Sequence, residues 1–386
     1  MLTSEQQEIR TLAREFAEGE IRPHSRAWDE SGAFPDEILA ALSELGFMGM
    51  RVPEEHGGLG MAAPAYLAVL EALAWGDASV ALTVAIQNGP VPRLLSVAGT
   101  PEQRSLWLPR LASGEHLACF ALSEAGAGSD PASMETVATP AGTDWELRGA
   151  KRWVTNGQRA HVALVFARTG TDAAGRSEIG CFAVDTSDSA YRVTRRESTM
   201  GLRASETVSI ELDGLRVGPE SVLGDPSQGL RYALDALDVG RLGIAAQAVG
   251  IGQAALEHAL RYSREREQFG QPIAHFGAIR GKLARMAARV GAARALVQDV
   301  GALLEAGSGA DEARMGIRAE AALAKLVASE AATWVADEAV QIYGGYGYMR
   351  DYPVEQLLRD AKGTEIYEGT SEIMRYVVSQ ELIGTV

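Results

Sequence analysis

The 386-residue chain has a formal net charge of -15, with 46% apolar and 23% charged residues, a globular balance with length enough for two or three units sharing one interior. Its acidity argues against a general affinity for nucleic acid or anionic membranes, both of which demand a positive surface, and no stretch approaches the roughly 18 uninterrupted apolar residues of a membrane span. Cys119 and Cys181 are too few for a disulfide framework, and the six histidines are scattered without ligand spacing, so no metal site is expected.

The first residues, Met1 to Gln6, contain neither a basic leader nor an apolar core, which points to a protein that stays in the cytoplasm. Thr3 with Gln6 reads as a capping box. Ile9, Leu12, Ala13 and Phe16 follow at helical spacing as far as Gly19. Further helices are predicted from Pro35 to Gly46, Ala65 to Trp75, Val80 to Ile86 and Glu102 to Leu111, so residues 1–117 form an N-terminal helical domain. Near Ala118 the period changes. Cys119 to Leu122 and Val162 to Ala167 read as buried strands, while Thr207 to Leu212 alternates with Val208, Ile210 and Leu212 on one side. Residues 118–225 are therefore a β-barrel-like middle domain.

From residue 226 to 386 the chain is helical again. Ile279, Leu283, Met286, Val290, Ala293, Val297, Val300 and Leu304 alternate steps of four and three, the seam of a long packed helix. The run Ile244, Ala248, Ile251, Ala255, Ala259 is a second seam, and the alanine-rich face from Ala321 to Ile342 is a third. A fourth helix starts near Thr370, and Glu305 to Asp311 is a connecting loop. The fold class is multidomain α+β, ending in a four-helix bundle.

Single motifs decide little. Gly126-Ala127-Gly128 lacks the third glycine and the strand-helix-strand setting of a dinucleotide fold, Gly277 to Lys282 fails phosphate-loop spacing, and no nucleophile elbow occurs. A lone glutamate such as Glu368 is ordinarily a solvated surface charge. Five separated segments change that balance. They are Ala121-Leu122-Ser123-Glu124-Ala125-Gly126-Ala127-Gly128-Ser129-Asp130, Lys151-Arg152-Trp153-Val154-Thr155-Asn156-Gly157, Arg264-Glu265-Arg266-Glu267-Gln268-Phe269-Gly270, Gln341-Ile342-Tyr343-Gly344-Gly345-Tyr346-Gly347-Tyr348 and Ile366-Tyr367-Glu368-Gly369-Thr370-Ser371. In this order they closely resemble the acyl-CoA dehydrogenase family across essentially the whole chain. That family's helix-sheet-helix order agrees with the elements read above.

The resemblance implies an FAD enzyme with its flavin between the β domain and the C-terminal bundle. Phe120, Leu122, Ser123, Trp153 and Thr155 would line the flavin ring. Arg266, Gln268 and Phe269 would contact the pyrophosphate and adenosine half, typically from a neighbouring subunit, with Gln341, Gly344 and Gly345 facing them and Thr370 and Glu372 also at the cofactor. Binding would then need at least a dimer, and the family habit is a homotetramer, a dimer of dimers. Ser129, Asp238 and Arg241 would hold the CoA thioester arm, with Tyr367 and Gly369 beside the substrate. Ala125 and Ser123 stand where many members have proline and threonine, and both keep the required size or group.

Two positions narrow the substrate. Glu71 falls where relatives for dicarboxylic substrates carry arginine, which argues against a free carboxylate on the acyl tail. Some members place the base beside the equivalent of Arg241, where this chain has Gly240, so the resemblance assigns the base to Glu368, as in short- and medium-chain members. The apolar surroundings of Tyr367 and Trp153 would desolvate it. Glu368 would take the α-proton of a saturated acyl-CoA while the β-hydrogen leaves as hydride, giving a trans-2-enoyl-CoA. The electrons would pass to an electron-transfer flavoprotein, and Leu237 to Gly243 looks most like butyryl-type members. Alternatives on the same fold are a branched-chain dehydrogenase or an acyl-CoA oxidase. A DNA-binding flavoprotein relative is opposed by the acidic balance.

Overall fold

The computed structural model describes residues 3–306 and 315–384. The expected loop from Glu305 to Asp311 lies outside the described residues from 307 onward, as do Met1 and Leu2 of the expected leaderless start. Helix α1 (Ser4–Phe16) opens with the predicted capping box between Thr3 and Gln6. It does not stop at Gly19: a π-turn over Ala17–Ile21 carries it into α2 (Arg22–Ser31). The wider turn keeps Ala13, Ala17 and Ile21 all fully buried, and Ala17 and Ile21 lie against Gly76, so core packing overrides the helix-breaking tendency of glycine.

Next come α3 (Asp36–Glu44), α4 (Ala63–Gly76), α5 (Ala78–Asn88), α6 (Pro90–Ala98) and α7 (Pro101–Ala112). Helix α6 was not anticipated, because Pro90 and Pro92 disguise a first turn that tolerates proline. Residues 65–76 of α4 are all buried, for it lies between α1 on one side and the C-terminal helices on the other.

The middle strands are β1 (Ala118–Ala121), β2 (Val137–Ala141), β3 (Asp144–Thr155), β4 (Val162–Thr171), β5 (Ser177–Asp185), β6 (Tyr191–Arg196) and β7 (Thr207–Val217). They form one seven-stranded sheet in the order β1-β4-β2-β3-β7-β6, with β5 also paired to β4. The unbroken apolar run Val162 to Ala167 has a simple cause. Val162, Leu164 and Phe166 face the large helical core, whereas Ala163, Val165 and Ala167 face a second core inside the curled sheet with Val208, Ile210 and Leu212. Cys119 and Cys181 are buried free thiols.

Helix α8 (Gly229–Glu265) leads to a two-stranded hairpin, β8 (Glu267–Gln268) and β9 (Gln271–Pro272), and then to α9 (Gly277–Ala306) and α10 (Ile317–Tyr343). Helices α11 (Val354–Thr364) and α12 (Ser371–Ile383) complete the chain. The four expected long helices are α8, α9, α10 and α12; α11 is an addition between them. Every residue of the predicted α10 seam, from Ala321 to Ile342, is buried. Helix α8 approaches α4 so closely that a Cβ at Gly250 would overlap the Glu71 carbonyl. Among the described residues no helix is long and apolar enough to cross a membrane.

Candidate active site

The chain leaves α11 through a turn in which the Ile366 and Tyr367 N–H groups donate back to the Gly363 carbonyl at 2.9 and 3.2 Å, and the Ser371 N–H donates to that of Glu365 at 2.9 Å. It then passes through two consecutive left-handed residues, Glu368 (φ 56°) and Gly369 (φ 100°), before Thr370 caps α12 by accepting from the Ile373 N–H at 3.3 Å. A Cβ at Gly369 would come 2.6 Å from the Met374 methyl. Left-handed backbone costs a non-glycine residue about 1–3 kcal/mol and persists where the surroundings over-determine it. Five non-glycine residues have positive φ among the described residues. Three of them, Trp153, Phe269 and Glu368, carry site roles expected from the sequence; the others are Asn156 and Leu202.

Helix α8 provides the floor under Glu368. A methyl group at Gly240 would overlap Oε2 of Glu368 and stand 2.8 Å from Cδ, so the missing side chain is the space the carboxylate occupies. Oε2 is enclosed and has no hydrogen-bond partner. Burial pushes the Glu368 carboxyl up to about 7, against the opposing pull of Arg241 and Lys325 and with a smaller push from Asp238. Trp153, expected to share in that desolvation, is 56% exposed in the chain, while Gly240 of α8 lies directly against the carboxylate. Arg241 is buried and paired with Asp238 at 2.6 Å. Burial raises the Asp238 carboxyl to about 6 and lowers the guanidinium. The Tyr367 hydroxyl donates to Gln247 Oε1 at 2.8 Å, and Gln247 Nε2 donates to the Ala78 carbonyl at 2.7 Å.

Because a carboxylate displaced by about 1 Å can lose on the order of 10²-fold in rate, Gly240→Ala is expected to lower turnover by about that factor. Flavin content should stay unchanged, as the three atoms nearest the added methyl all belong to Glu368. Steady-state kinetics beside the absorbance spectrum of the purified variant check both parts.

The second group of predicted residues surrounds the end of β3. Phe120 is half-buried and leans on Phe166 with ring centroids 4.8 Å apart, and Leu122 is buried. The indole of Trp153 stands beside Gly128, at 3.9 Å from a Cβ built there. Ser123 and Thr155 are half-buried, and Ser129 is exposed. A buried ion pair supports this loop. Lys151 Nζ donates to Glu124 Oε1 at 2.8 Å and to the Leu122 carbonyl at 3.0 Å, while Glu124 accepts the N–H groups of Glu135 and Thr136 at 2.6 and 3.0 Å.

The third group lies around the hairpin. Phe269 and Gly270 are both left-handed (φ 52° and 78°) at its two-residue tip, and Phe269 is 93% exposed. Arg266 stacks over Tyr346 at 5.3 Å, which brings it to the Gly344 to Tyr348 turn. Gln268 and Gln341 are exposed, and nothing lies within 4 Å of a Cβ at Gly344 or Gly345. Glu372 is exposed in the first turn of α12, 3.3 Å from Arg375. Glu372 is joined to the first group through a side-chain hydrogen bond with Thr370.

These residues fit a flavin. Its ring needs an apolar stacking wall with a few placed donors, and its phosphates need open backbone beside a fixed positive charge. Here Trp153 is held out in the left-handed conformation next to an exposed glycine, the Ser123 and Thr155 hydroxyls engage no acceptor among the described residues, and Gly344 and Gly345 are open beside Arg266.

Some supporting residues escaped the sequence reading. Lys151 falls inside a recognised motif but gives no sign that it is buried, and Gln247 is one polar residue in a long small-residue helix. Lys325 did carry a signal, being a cation one residue after Ala324 on the apolar face of α10. Glu71 is not a free carboxylate: it pairs with Arg294 at 2.8 Å, which also donates to Gln253 at 2.7 Å.

Comparison with known proteins matches three family models: Acyl-CoA dehydrogenase, N-terminal domain over residues 3–115, middle domain over 119–215 and C-terminal domain over 227–383. The chain is 39% identical over 381 residues to the mitochondrial short-chain specific acyl-CoA dehydrogenase of Bos taurus, covering 98% of this chain and 90% of that one. Butyryl-CoA dehydrogenase from Megasphaera elsdenii is 36% identical with a TM-score of 0.94 over 99% of both chains. A chain from a structure described as the electron transferring flavoprotein of Acidaminococcus fermentans is 36% identical, with a TM-score of 0.93 over 100% of this chain and 99% of that one.

Proposed function

The chain belongs to the acyl-CoA dehydrogenase family, FAD-dependent oxidoreductases, and from that premise we propose that it converts a saturated short- or medium-chain acyl-CoA to the trans-2-enoyl-CoA with Glu368 as the α-proton base. The observation that carries the base is the enclosed, unpaired Oε2 of Glu368 set against Gly240, with the carboxyl raised to about 7. A base poised near neutral pH balances its ionised fraction against its proton affinity. The Glu368 N–H donates to no acceptor among the described residues, so in this reading it is free to hold the thioester carbonyl oxygen as charge develops there.

Asp238 and Arg241 fix the polar rim of the substrate arm from α8. Tyr367, tethered through Gln247 to Ala78, forms the wall beside the reacting carbons. FAD, when bound, supplies the acceptor for the β-hydrogen. Ser123 and Thr155 would hold the polar edge of its ring and Trp153 its face, with Arg266, Gln268, Phe269, Gln341, Gly344 and Gly345 at the phosphate and adenosine half and Thr370 and Glu372 nearby. The exposed left-handed tip at Phe269 supports a homotetramer in which that half is completed between subunits. Glu71, neutralised by Arg294, supports an uncharged acyl tail, and the resemblance to butyryl-CoA dehydrogenase supports a short one. Electron-transfer flavoprotein is the proposed acceptor, supported by the likeness to the Acidaminococcus chain, and the two buried free thiols suit a cytoplasmic setting.

The test is anaerobic mixing of the flavin-loaded protein with butyryl-, hexanoyl-, octanoyl- and isovaleryl-CoA, followed by the loss of flavin absorbance. Bleaching by the straight chains, with slow recovery in air, is the expected result. Bleaching by none of them would overturn the reading, fastest bleaching by isovaleryl-CoA would move it to the branched-chain branch, and rapid peroxide release on aeration would mark an oxidase.

A further inference from the structure

Lys325 lies in the middle of α10 with no exposed surface, and lysine is almost never fully buried unless it is paired. Among the described residues its ammonium makes no ion pair within 4 Å; its hydrogen bond goes to the carbonyl of Gly369 at 2.6 Å. A buried charge spent on a neutral carbonyl is costly unless something nearby uses it. Glu368, one residue before that carbonyl, is the group that most strengthens the charge of Lys325; Glu365 and Glu372 do so more weakly, and Arg241 opposes it. Around Glu368 the charged and titratable groups are Arg241 and Asp238 from α8, Lys325 from α10, Tyr66 from α4 and the adjoining Tyr367. The buried Lys325 ammonium and the half-buried Glu368, with its enclosed Oε2, therefore act on each other electrostatically at a turn held in two consecutive left-handed residues.

We infer that Lys325 is the positioning residue of the base: through the Gly369 carbonyl it fixes the turn that presents both the Glu368 carboxylate and the Glu368 N–H, and its charge faces that carboxylate. The geometry gives the two roles one cause. The Gly369 peptide is where the chain reverses into α12, so an anchored carbonyl there sets the orientation of the preceding peptide and of the side chain packed on Gly240. Burial lowers the Lys325 ammonium to about 8, so it is mainly charged at neutral pH, where Glu368 ionises. This rests on Glu368 being the base.

The experiment compares Lys325→Arg, Lys325→Gln and Lys325→Met in the flavin-loaded full chain, reading exchange of the α-protons of methylthioacetyl-CoA into deuterated water across pH by mass spectrometry. That thioester has no β-hydrogen, so exchange reports proton abstraction without turnover. The expected order of rates is arginine, then glutamine, then methionine. With glutamine, rate should fall by roughly 10-fold or more and the pH limb should move upward, since an opposing positive charge lowers a carboxyl's affinity for protons. In turnover assays kcat should fall while KM for butyryl-CoA holds.

Equal exchange rates per flavin site with an unmoved limb in all three variants would overturn the proposal. So would loss of flavin and of thermal stability in the glutamine variant as well as the methionine one, which would assign Lys325 to folding. Glu368→Gln is the separate control: exchange that persists there refutes the base assignment itself, whatever the Lys325 variants do.

Discussion

Glu368→Gln should retain flavin, lose about 10²–10⁴-fold in turnover and, at pH 8, be more stable than the parent. The three outcomes share one cause. Enclosure against Gly240 gives the carboxyl its raised proton affinity and also makes the ionised form unfavourable in the folded chain. Between its ordinary value and about 7 the folded protein holds a proton that the unfolded chain has released. Stability from this group is therefore complete at low pH and is lost as pH rises through about 7. Neutral glutamine avoids the loss, so the variant's advantage should be absent near pH 4, open with rising pH and level off at about 1–3 kcal/mol. Activity runs the other way. The base must be ionised to accept a proton, so kcat/KM should rise with pH and reach its plateau above about 7. Denaturation midpoints of both proteins at pH 5 and pH 8, beside a pH–rate profile of the parent, check the pair. A variant no more stable at pH 8 would show that the carboxylate is not strained by burial.

Lys151→Met is expected to have the largest effect on stability. It leaves Glu124 enclosed without its cation and releases the Leu122 carbonyl. Removing one partner of a buried pair typically costs about 3–5 kcal/mol. Lys151 has no exposed surface, and burial draws its ammonium down to about 8 in spite of Glu124. The loop proposed to line the flavin rests on the same ammonium through the Leu122 carbonyl and Glu124, so flavin retention should drop as well. Lys151→Met combined with Glu124→Leu removes the orphaned charge and should recover part of the stability, although the Glu135 and Thr136 N–H groups then lose their acceptor. Denaturant midpoints and flavin content for the single and double variants give the coupling. A single variant as stable as the parent would show that the pair contributes nothing.

The sequence made the large features plain where a periodic pattern met a face. The seams of α8, α9 and α10 were readable because each predicted run lies on a buried side of its helix, with the ends of the α9 run, Ile279, Leu283 and Leu304, half-buried. The two-faced strand β4 was readable because both of its faces meet apolar cores. Helix α6 and the continuation of α1 past Gly19 were hidden by proline and glycine, residues whose local preference was outweighed by packing against the core. Helix α11 was hidden for a related reason, since it follows Pro353 and carries buried Asp360 in place of a clean apolar stripe. Within the site, Glu368 and its motif were visible as residue types in order. The groups that hold it were not. The hydrogen bonds from Lys325 to Gly369 and from Tyr367 to Gln247 span more than forty and one hundred residues of chain respectively, and no local spacing encodes a contact of that kind.

The overlap between a side chain at position 240 and the carboxylate of residue 368 also bears on how such a chain can change over generations. A side chain at position 240 and the carboxylate of residue 368 compete for the same space. Gly240→Glu in the present background would force two like charges into it, and Glu368→Gly alone would leave it empty. A descendant that carries its base on α8 is thus two exchanges away, with an impaired protein on either single-step route. If Glu368 is the base, as proposed, single exchanges at either position are disfavoured, so its location is expected to change less readily than the acyl pocket around it.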